Sequence, residues 1–396
     1  RAKPFSLGLW IGASSTPNKF EDAKAALRDS YRATPVAIES CPACKKEVKW
    51  SADDIQQKIN CCCRNSNCEI GGTFSFLPIH TVDQQIYIHQ PSIVIGTVDK
   101  FAQICRIPSQ TDGLFNQKTD FLPPDLIIQD ELHLISGPLG TTTGLMELAV
   151  DWLCSSKSHN AKIIGSTATI QRADEQVGAL FDRKVCQFPT PILDADNSCF
   201  ARKEVSSTGR LYVGLTTAGK TPTFLLQAIC GSMLQATEDD QFVDQKSALD
   251  PYTTLAAYFN SLRILGGART LLWEDAQKSK EVFASKWGET PRDVEDLQEL
   301  TSVVSQEELK QTLNRLKISR KDEGHIDMLL ASVMLSVGVN IPRLGLMVVD
   351  GQPKTMAEYI QATSRVGQCV TSYHKITHNN NSKVRDRSHF ETFKTW

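Results

Sequence analysis

The stretch Leu126-Ile127-Ile128-Gln129-Asp130-Glu131-Leu132-His133 decides how the rest of the chain reads. Its apolar start suits a strand buried on both faces, and the strand ends in two adjacent carboxylates. An acidic pair at the carboxyl end of a buried strand is what nucleotide hydrolysis needs. The first carboxylate holds Mg²⁺, usually through water, and the second orients and deprotonates the attacking water. Upstream, Ile95-Gly96-Thr97-Val98-Asp99-Lys100 ends another strand, where backbone amides and a threonine hydroxyl could meet a phosphodiester backbone. Downstream, Ile163-Ile164-Gly165-Ser166-Thr167-Ala168-Thr169 ends a third strand in small hydroxyl residues. Three such strand ends in this order are far more specific than any one.

Working outward, short apolar runs recur at Ser6–Ile11, Ser92–Gly96, Leu126–Gln129, Lys162–Gly165, Leu211–Gly214, Thr270–Trp273, Met328–Ala331 and Leu346–Val349. Helical segments lie between them, so the pattern predicts parallel α/β units with functional residues at the strands' carboxyl ends. A chain of 396 residues suits two domains. The Pro-, Asp- and Ser-rich stretch Thr190–Thr208 predicts the boundary: a first domain over 1–190, a linker over 191–205 and a second domain over 206–396. Ala276–Arg320, alternating in charge, reads as a helical insertion at about 276–320. In the second half, Gly338-Val339-Asn340-Ile341-Pro342 follows a strand, and Gln361-Ala-Thr-Ser-Arg365-Val-Gly-Gln368 follows a helical stretch.

Composition excludes some classes outright. With 41% hydrophobic and 22% charged residues the chain can build two cores and is not disordered as a whole. Its longest apolar-looking stretch, Leu329–Val349, is broken by Asn340, Pro342 and Arg343, so no membrane partner is expected. Forty-three Lys and Arg against 45 Asp and Glu leave a net charge of −2. Nucleic acid would therefore be held by a local patch, for which Arg106, Lys100 and the basic tail Thr371–Trp396 are candidates as much as plain solvated surface. The start at Arg1 reads as entry midway through a domain, hence a fragment. Trp10, Trp152 and Trp273 are expected in cores, and His80 and His89 as hydrogen-bonded strand residues.

Six of the twelve cysteines fall between Cys41 and Cys68, as Cys41-Pro-Ala-Cys44 and Cys61-Cys62-Cys63-Arg-Asn-Ser-Asn-Cys68. Two close pairs at this separation can place four thiolates around a structural Zn²⁺. Cys41, Cys44, Cys63 and Cys68 are the expected ligands, with Cys61 or Cys62 as alternatives to Cys63, and with disulfides or unliganded thiols as the plainer readings. Trp50 is expected to pack against the knuckles, and the whole element to occupy about 38–75 of the first domain.

Taken together, Gly96–Lys100, Asp130–His133, Thr167-Ala168-Thr169, Gly338–Pro342 and Gln361–Gln368 resemble the motifs of the superfamily 2 helicases. Ser6-Leu-Gly-Leu-Trp-Ile-Gly with Thr16-Pro17-Asn18, Leu335-Ser-Val-Gly-Val and Ile341-Pro-Arg-Leu-Gly-Leu-Met347 are similar to the helicases of the bacterial DISARM antiphage system. The resemblance implies an α/β fold of two RecA-like parallel-sheet lobes with a zinc-ribbon-like insertion in the first. It implies a cytoplasmic, ATP-dependent DNA helicase or translocase that uses ATP, Mg²⁺ and structural Zn²⁺ and works with DNA and other defence-system subunits. Asp130 would serve Mg²⁺ and Glu131 would be the base. His133, Thr167, Ala168 and Thr169 would couple the nucleotide to lobe movement. Gly96, Thr97, Lys100, Gly338 and Asn340 would form the nucleotide and nucleic-acid edge, with Gln361 and Arg365 at the γ-phosphate.

The sequence departs from the family at Gln368 and Asn340, where arginine and an acid are usual. These departures favour the alternative of a catalytically weak DNA-binding clamp that recruits partners. No phosphate-gripping Gly-x₄-Gly-Lys-Ser/Thr loop precedes Asp130, which places it upstream of Arg1 in this reading. A formal match at Gly214-Leu-Thr-Thr-Ala-Gly219-Lys220-Thr221 falls at the start of the second domain and is the alternative P-loop.

Overall fold

The computed structural model describes residues 5–13, 15–28, 33–73, 76–115, 122–135, 137–155, 160–167, 173–190, 193–194, 197, 210–216, 219–238, 246–304, 306–336, 340–353, 355–367 and 374–379. The chain forms two compact units, Arg1–Thr190 and Pro191–Trp396. Each is an α/β body of parallel strands and helices, and together they give the two RecA-like lobes expected. Most of the stretch assigned to a linker, and Ala168, Thr169, Gly338 and Gln368, lie outside the described residues.

In the first unit β1 (Leu7–Trp10) lies between two parallel neighbours, β4 (Ile79–His80) and β5 (Ile93–Gly96). A second parallel pair joins β6 (Leu126–Gln129) to β7 (Lys162–Gly165). One core serves both sheets: Trp10, Val94 and Ile127 point into it and meet Ile86, Phe101, Ile104 and Leu153 from the helices. The alternate residues face the other way. Ile93, Ile95, Leu126, Ile128 and Ile164 are between 41% and 64% exposed, so the opposite sheet face is apolar and open to solvent. The cysteine-rich insertion is an antiparallel hairpin, β2 (Val48–Asp53) with β3 (Lys58–Cys63), docked through Ile59, Trp50 and Ala52 on the helix Phe20–Ala26.

The second unit is a six-stranded parallel sheet in the order β10-β11-β9-β12-β13-β8: Leu297–Leu300, Met328–Ala331, Leu255–Phe259, Leu346–Asp350, His374–Asn379 and Arg210–Leu215. Its central strands are covered on both faces. Leu255, Ala257, Phe259, Leu330 and Val348 enter one core, while Tyr258, Leu329, Ala331, Met347 and Val349 enter the other. Gly231 lets the helix Pro222–Gln235 press on Ala276–Trp287, because a Cβ there would lie 2.8 Å from the Ser279 Cβ and 3.1 Å from the Ala276 oxygen. Arg292, fully buried, is held by Asp327 at 2.7 Å and by the Thr253 carbonyl at 2.6 Å, tying a loop under the sheet.

Several expectations need correction. Thr270–Trp273 is not a strand; it lies in a continuous helical stretch from Leu262 to Trp287, with a π-helical turn at Leu271–Asp275. A four-residue apolar run is too short to separate a strand from one turn of helix, and the true neighbouring strand, Leu255–Phe259, is alanine-rich. The stretch about 276–320 is not wholly helical, since β10 within it forms the edge of the sheet. Trp152 and Trp273 are exposed, unlike the fully buried Trp10. His89 ends the helix Asp83–His89 and stacks on His80 with ring centroids 5.0 Å apart. The tail supplies β13, and its remainder lies outside the described residues.

Candidate nucleotide site and metal centre

The parallel register Gln129↔Gly165 brings the ends of β6 and β7 side by side. Two backbone bonds extend the pairing past the strands: Ser166 N–H to the Gln129 carbonyl at 2.8 Å, and Leu132 N–H to the Ser166 carbonyl at 2.9 Å. This places His133 against Thr167, with Nδ1 3.0 Å from the hydroxyl oxygen and 3.5 Å from Glu131 Oε2. The imidazole is 11% exposed and the Glu131 side chain 35%, while Asp130 opens to solvent. The chain turns sharply here, for Glu131 has φ +51°, a left-handed conformation that L-residues avoid. Its N–H donates to Asp130 Oδ1 at 3.0 Å, and its carbonyl accepts from Leu134 N–H at 2.9 Å. Two carboxylates thus stand at a strand end, and one shares an imidazole with a hydroxyl from the next strand.

On β5, Gly96 is required by close packing, since a Cβ would lie 3.2 Å from both the Trp10 carbonyl oxygen and the Phe101 ring. Thr97 follows, exposed, with its N–H donating to the Trp10 carbonyl at 3.2 Å. Lys100, expected on the nucleic-acid edge or in solvated surface, is buried, paired with Asp83 and bonded to Asn18 Oδ1 at 3.0 Å. A lysine beside a buried carboxylate is neutralised internally, and its role is to hold the turn after β5 against the helix Asp83–His89.

In the second unit Gln361 is buried on the helix Met356–Thr363, and Arg365 lies in the turn that follows. Asn340 is exposed. Two anchors of this helix went unread in the sequence. Tyr258 Oη donates to Glu358 Oε1 at 3.0 Å, while Arg210 reaches from β8 to the carbonyls of Val366 (Nε, 2.8 Å) and Ser364 (Nη2, 3.3 Å). Asn260 was also missed; its Nδ2 bonds the Gly351 carbonyl at 3.1 Å and joins the ends of β9 and β12. The readable signal was the helix cap after it, where Ser261 Oγ accepts from Ile264 N–H. At the formal P-loop match, Thr221 Oγ1 likewise caps a helix by accepting from Phe224 N–H at 3.2 Å, and Lys220 lies over the Phe224 ring.

The sulfur atoms of Cys41, Cys44, Cys63 and Cys68 all lie within 4.8 Å of one another, with Cys41–Cys68 at 3.6 Å and Cys44–Cys63 at 3.5 Å. A tetrahedron of bonds about 2.3 Å long has sulfur–sulfur edges of about 3.8 Å, so this set fits a zinc ion. Such separations exclude disulfides, whose bonds are about 2.05 Å. The strand pleat sets Cys62 apart from Cys61 and Cys63: Cys62 turns to the other face, toward the Lys49 carbonyl, while Cys61, on the face of Cys63 but two residues further into the strand, is buried in the core, where burial pushes its thiol up to about 12. Cys63, at the strand end, joins the cluster. A backbone N–H from Lys46 lowers the Cys44 thiol to about 6, favouring the thiolate a metal requires. Trp50 packs beside the cluster and donates its indole N–H to the Ile38 carbonyl at 2.9 Å.

The helicase conserved C-terminal domain matches residues 274–369. DISARM protein DrmA of Bacillus paralicheniformis is 36% identical over 98% of this chain, which spans 39% of DrmA's length. Among solved structures, the DUF1998 helicase MrfA bound to DNA aligns over 99% of this chain and 45% of its own, with 14% identity and a TM-score of 0.54. Mss116p bound to ssRNA and AMP-PNP aligns over 99% of this chain and 62% of its own, with 12% identity and a TM-score of 0.52. By sequence this chain is similar to DrmA over nearly all of its own length, and its fold is like that of the helicase structures with which it aligns.

Proposed function

We propose that the chain is part of an ATP-dependent DNA helicase or translocase serving antiphage defence. The observation that carries this reading is the Asp130-Glu131-His133 turn closed against Thr167 at the ends of two parallel strands. Asp130, exposed at the strand end, would hold Mg²⁺, which when bound neutralises phosphate charge. Glu131 accepts the proton of the attacking water at its carboxylate, and His133 orients that carboxylate while sensing Thr167. Gln361 and Arg365 belong to the same proposal, the arginine as the group that would stabilise charge developing on a transferred phosphoryl group. Gly96, Thr97 and Asn340, with Gly338, Ala168 and Thr169, belong to the nucleic-acid edge and its coupling to hydrolysis. Cys41, Cys44, Cys63 and Cys68 would hold zinc, which would brace the insertion, because four thiolates leave no open position for chemistry.

DNA as partner is supported by the likeness to MrfA, whose structure is bound to DNA, and defence subunits as partners by the identity to DrmA. Phosphate release from ATP by the complete natural protein, with and without single-stranded DNA, tests the reading. Turnover that DNA stimulates and Glu131→Gln abolishes is the expected result. DNA binding without any turnover would overturn the motor in favour of the clamp that Asn340 and Gln368 suggest.

A further inference from the structure

We infer that Arg210 is a positioning residue for Arg365, an inference that rests on the catalytic role proposed for that arginine. Arg365 sits just beyond a helix end, where backbone carbonyls lack partners of their own helix. The two carbonyls that bracket it in sequence, Ser364 and Val366, both accept from the Arg210 guanidinium, at 3.3 and 2.8 Å. A planar fork bonded to residues on either side of Arg365 fixes both the place and the twist of the peptide that bears it. The cation also lies at the negative end of the Met356–Thr363 helix, where it is favoured.

The far side of the same turn is held too. Gly367, at φ +76°, donates its N–H to the Leu344 carbonyl at 2.7 Å, and Val366 is fully buried in the core beside Leu344 and Leu335. The base of the Arg365 side chain is therefore clamped between β8 and the segment before β12. Arg210 belongs to the edge strand and to none of the family's motifs quoted above, and it reaches the motif across a sequence separation of 156 residues. Its guanidinium is spent on backbone oxygens, so its effect on chemistry is exerted through Arg365.

A displacement of about 1 Å at a group acting in the transition state costs on the order of 100-fold in rate. Arg210→Ala in the complete protein should lower kcat for DNA-stimulated ATP hydrolysis by roughly 10- to 100-fold, with KM for ATP within about twofold of wild type. Arg210→Lys, which keeps one donor at one carbonyl, should recover part of the loss. The decisive arm repeats Arg210→Ala in an Arg365→Ala background, where it should change kcat by less than about twofold. Amide exchange at Val366 and Gly367 should quicken in Arg210→Ala and recover in Arg210→Lys.

Wild-type kcat in Arg210→Ala, or the same fold loss with and without Arg365, would overturn the inference. Should Arg365→Ala itself keep wild-type turnover, the role proposed for Arg365 fails first, and the quickened exchange alone would leave Arg210 a purely structural clamp.

Discussion

The left-handed turn at Glu131 permits a test in which the usual stability order of alanine and glycine inverts. A residue with a Cβ held at φ +51° costs about 1–2 kcal/mol relative to its preferred conformations, whereas glycine adopts that region freely. At an ordinary exposed position alanine is the more stable of the two by about 0.4–1 kcal/mol, because glycine gains freedom in the unfolded chain. Glu131→Ala and Glu131→Gly both lose the 3.5 Å contact to His133, so that loss cancels in their comparison. The usual order should therefore invert, with Glu131→Gly more stable than Glu131→Ala by about 1 kcal/mol, or about 2–4 °C in the melting of a unit this size. Urea unfolding of both variants, followed by circular dichroism, measures the difference. Neither variant should hydrolyse ATP. If Glu131→Ala proves the more stable by half a kcal/mol, the claim that the carboxylate is held here against its backbone preference is wrong.

Thr167→Val removes the hydroxyl 3.0 Å from His133, and should cost about 0.5–1.5 kcal/mol in stability while reducing DNA stimulation of turnover more than basal turnover, as steady-state assays would register. Cys63→Ser should lower bound zinc, measured by elemental analysis, well below the about one ion per chain expected of wild type, and Cys62→Ser should leave it unchanged. Gly231→Ala should destabilise the second unit by about 1 kcal/mol, the overpacking against Ser279 outweighing the gain in helix propensity, with thermal melting as the measure.

Most strands were readable because a parallel strand is a short apolar run stopped by a polar residue, whether it is covered on both faces, as Met328–Ala331 is, or on one, as Leu126–Gln129 is, where burial on both had been expected. Leu255–Phe259 escaped because two of its five residues are alanines, and Thr270–Trp273 misled because an apolar quartet fits either period. Asp130, Glu131, His133 and Thr167 were legible together because they directly follow two apolar runs that pair side by side in parallel. Lys100 was not: nothing local reveals that Asp83, 17 residues earlier, waits inside the fold to neutralise it. The choice among Cys61, Cys62 and Cys63 needed both the pleat, which turns Cys62 away, and the end of the strand at Cys63, and only the pairing with Val48–Trp50 defines them. Arg210 lay beyond any local reading, its partners being backbone carbonyls far along the chain.

The open face of Ile93, Ile95, Leu126, Ile128 and Ile164 also bears on how the chain behaves in a tube. Water over several adjacent branched side chains is released when two such surfaces meet, so protein concentration sets the limit on handling. Light scattering that rises with concentration, bright ANS fluorescence and relief of both by Ile95→Lys with Ile128→Lys are the expected signs. Crystallisation or binding assays with this chain should begin from that double variant, whose changes lie on the side of the sheet away from the packed core.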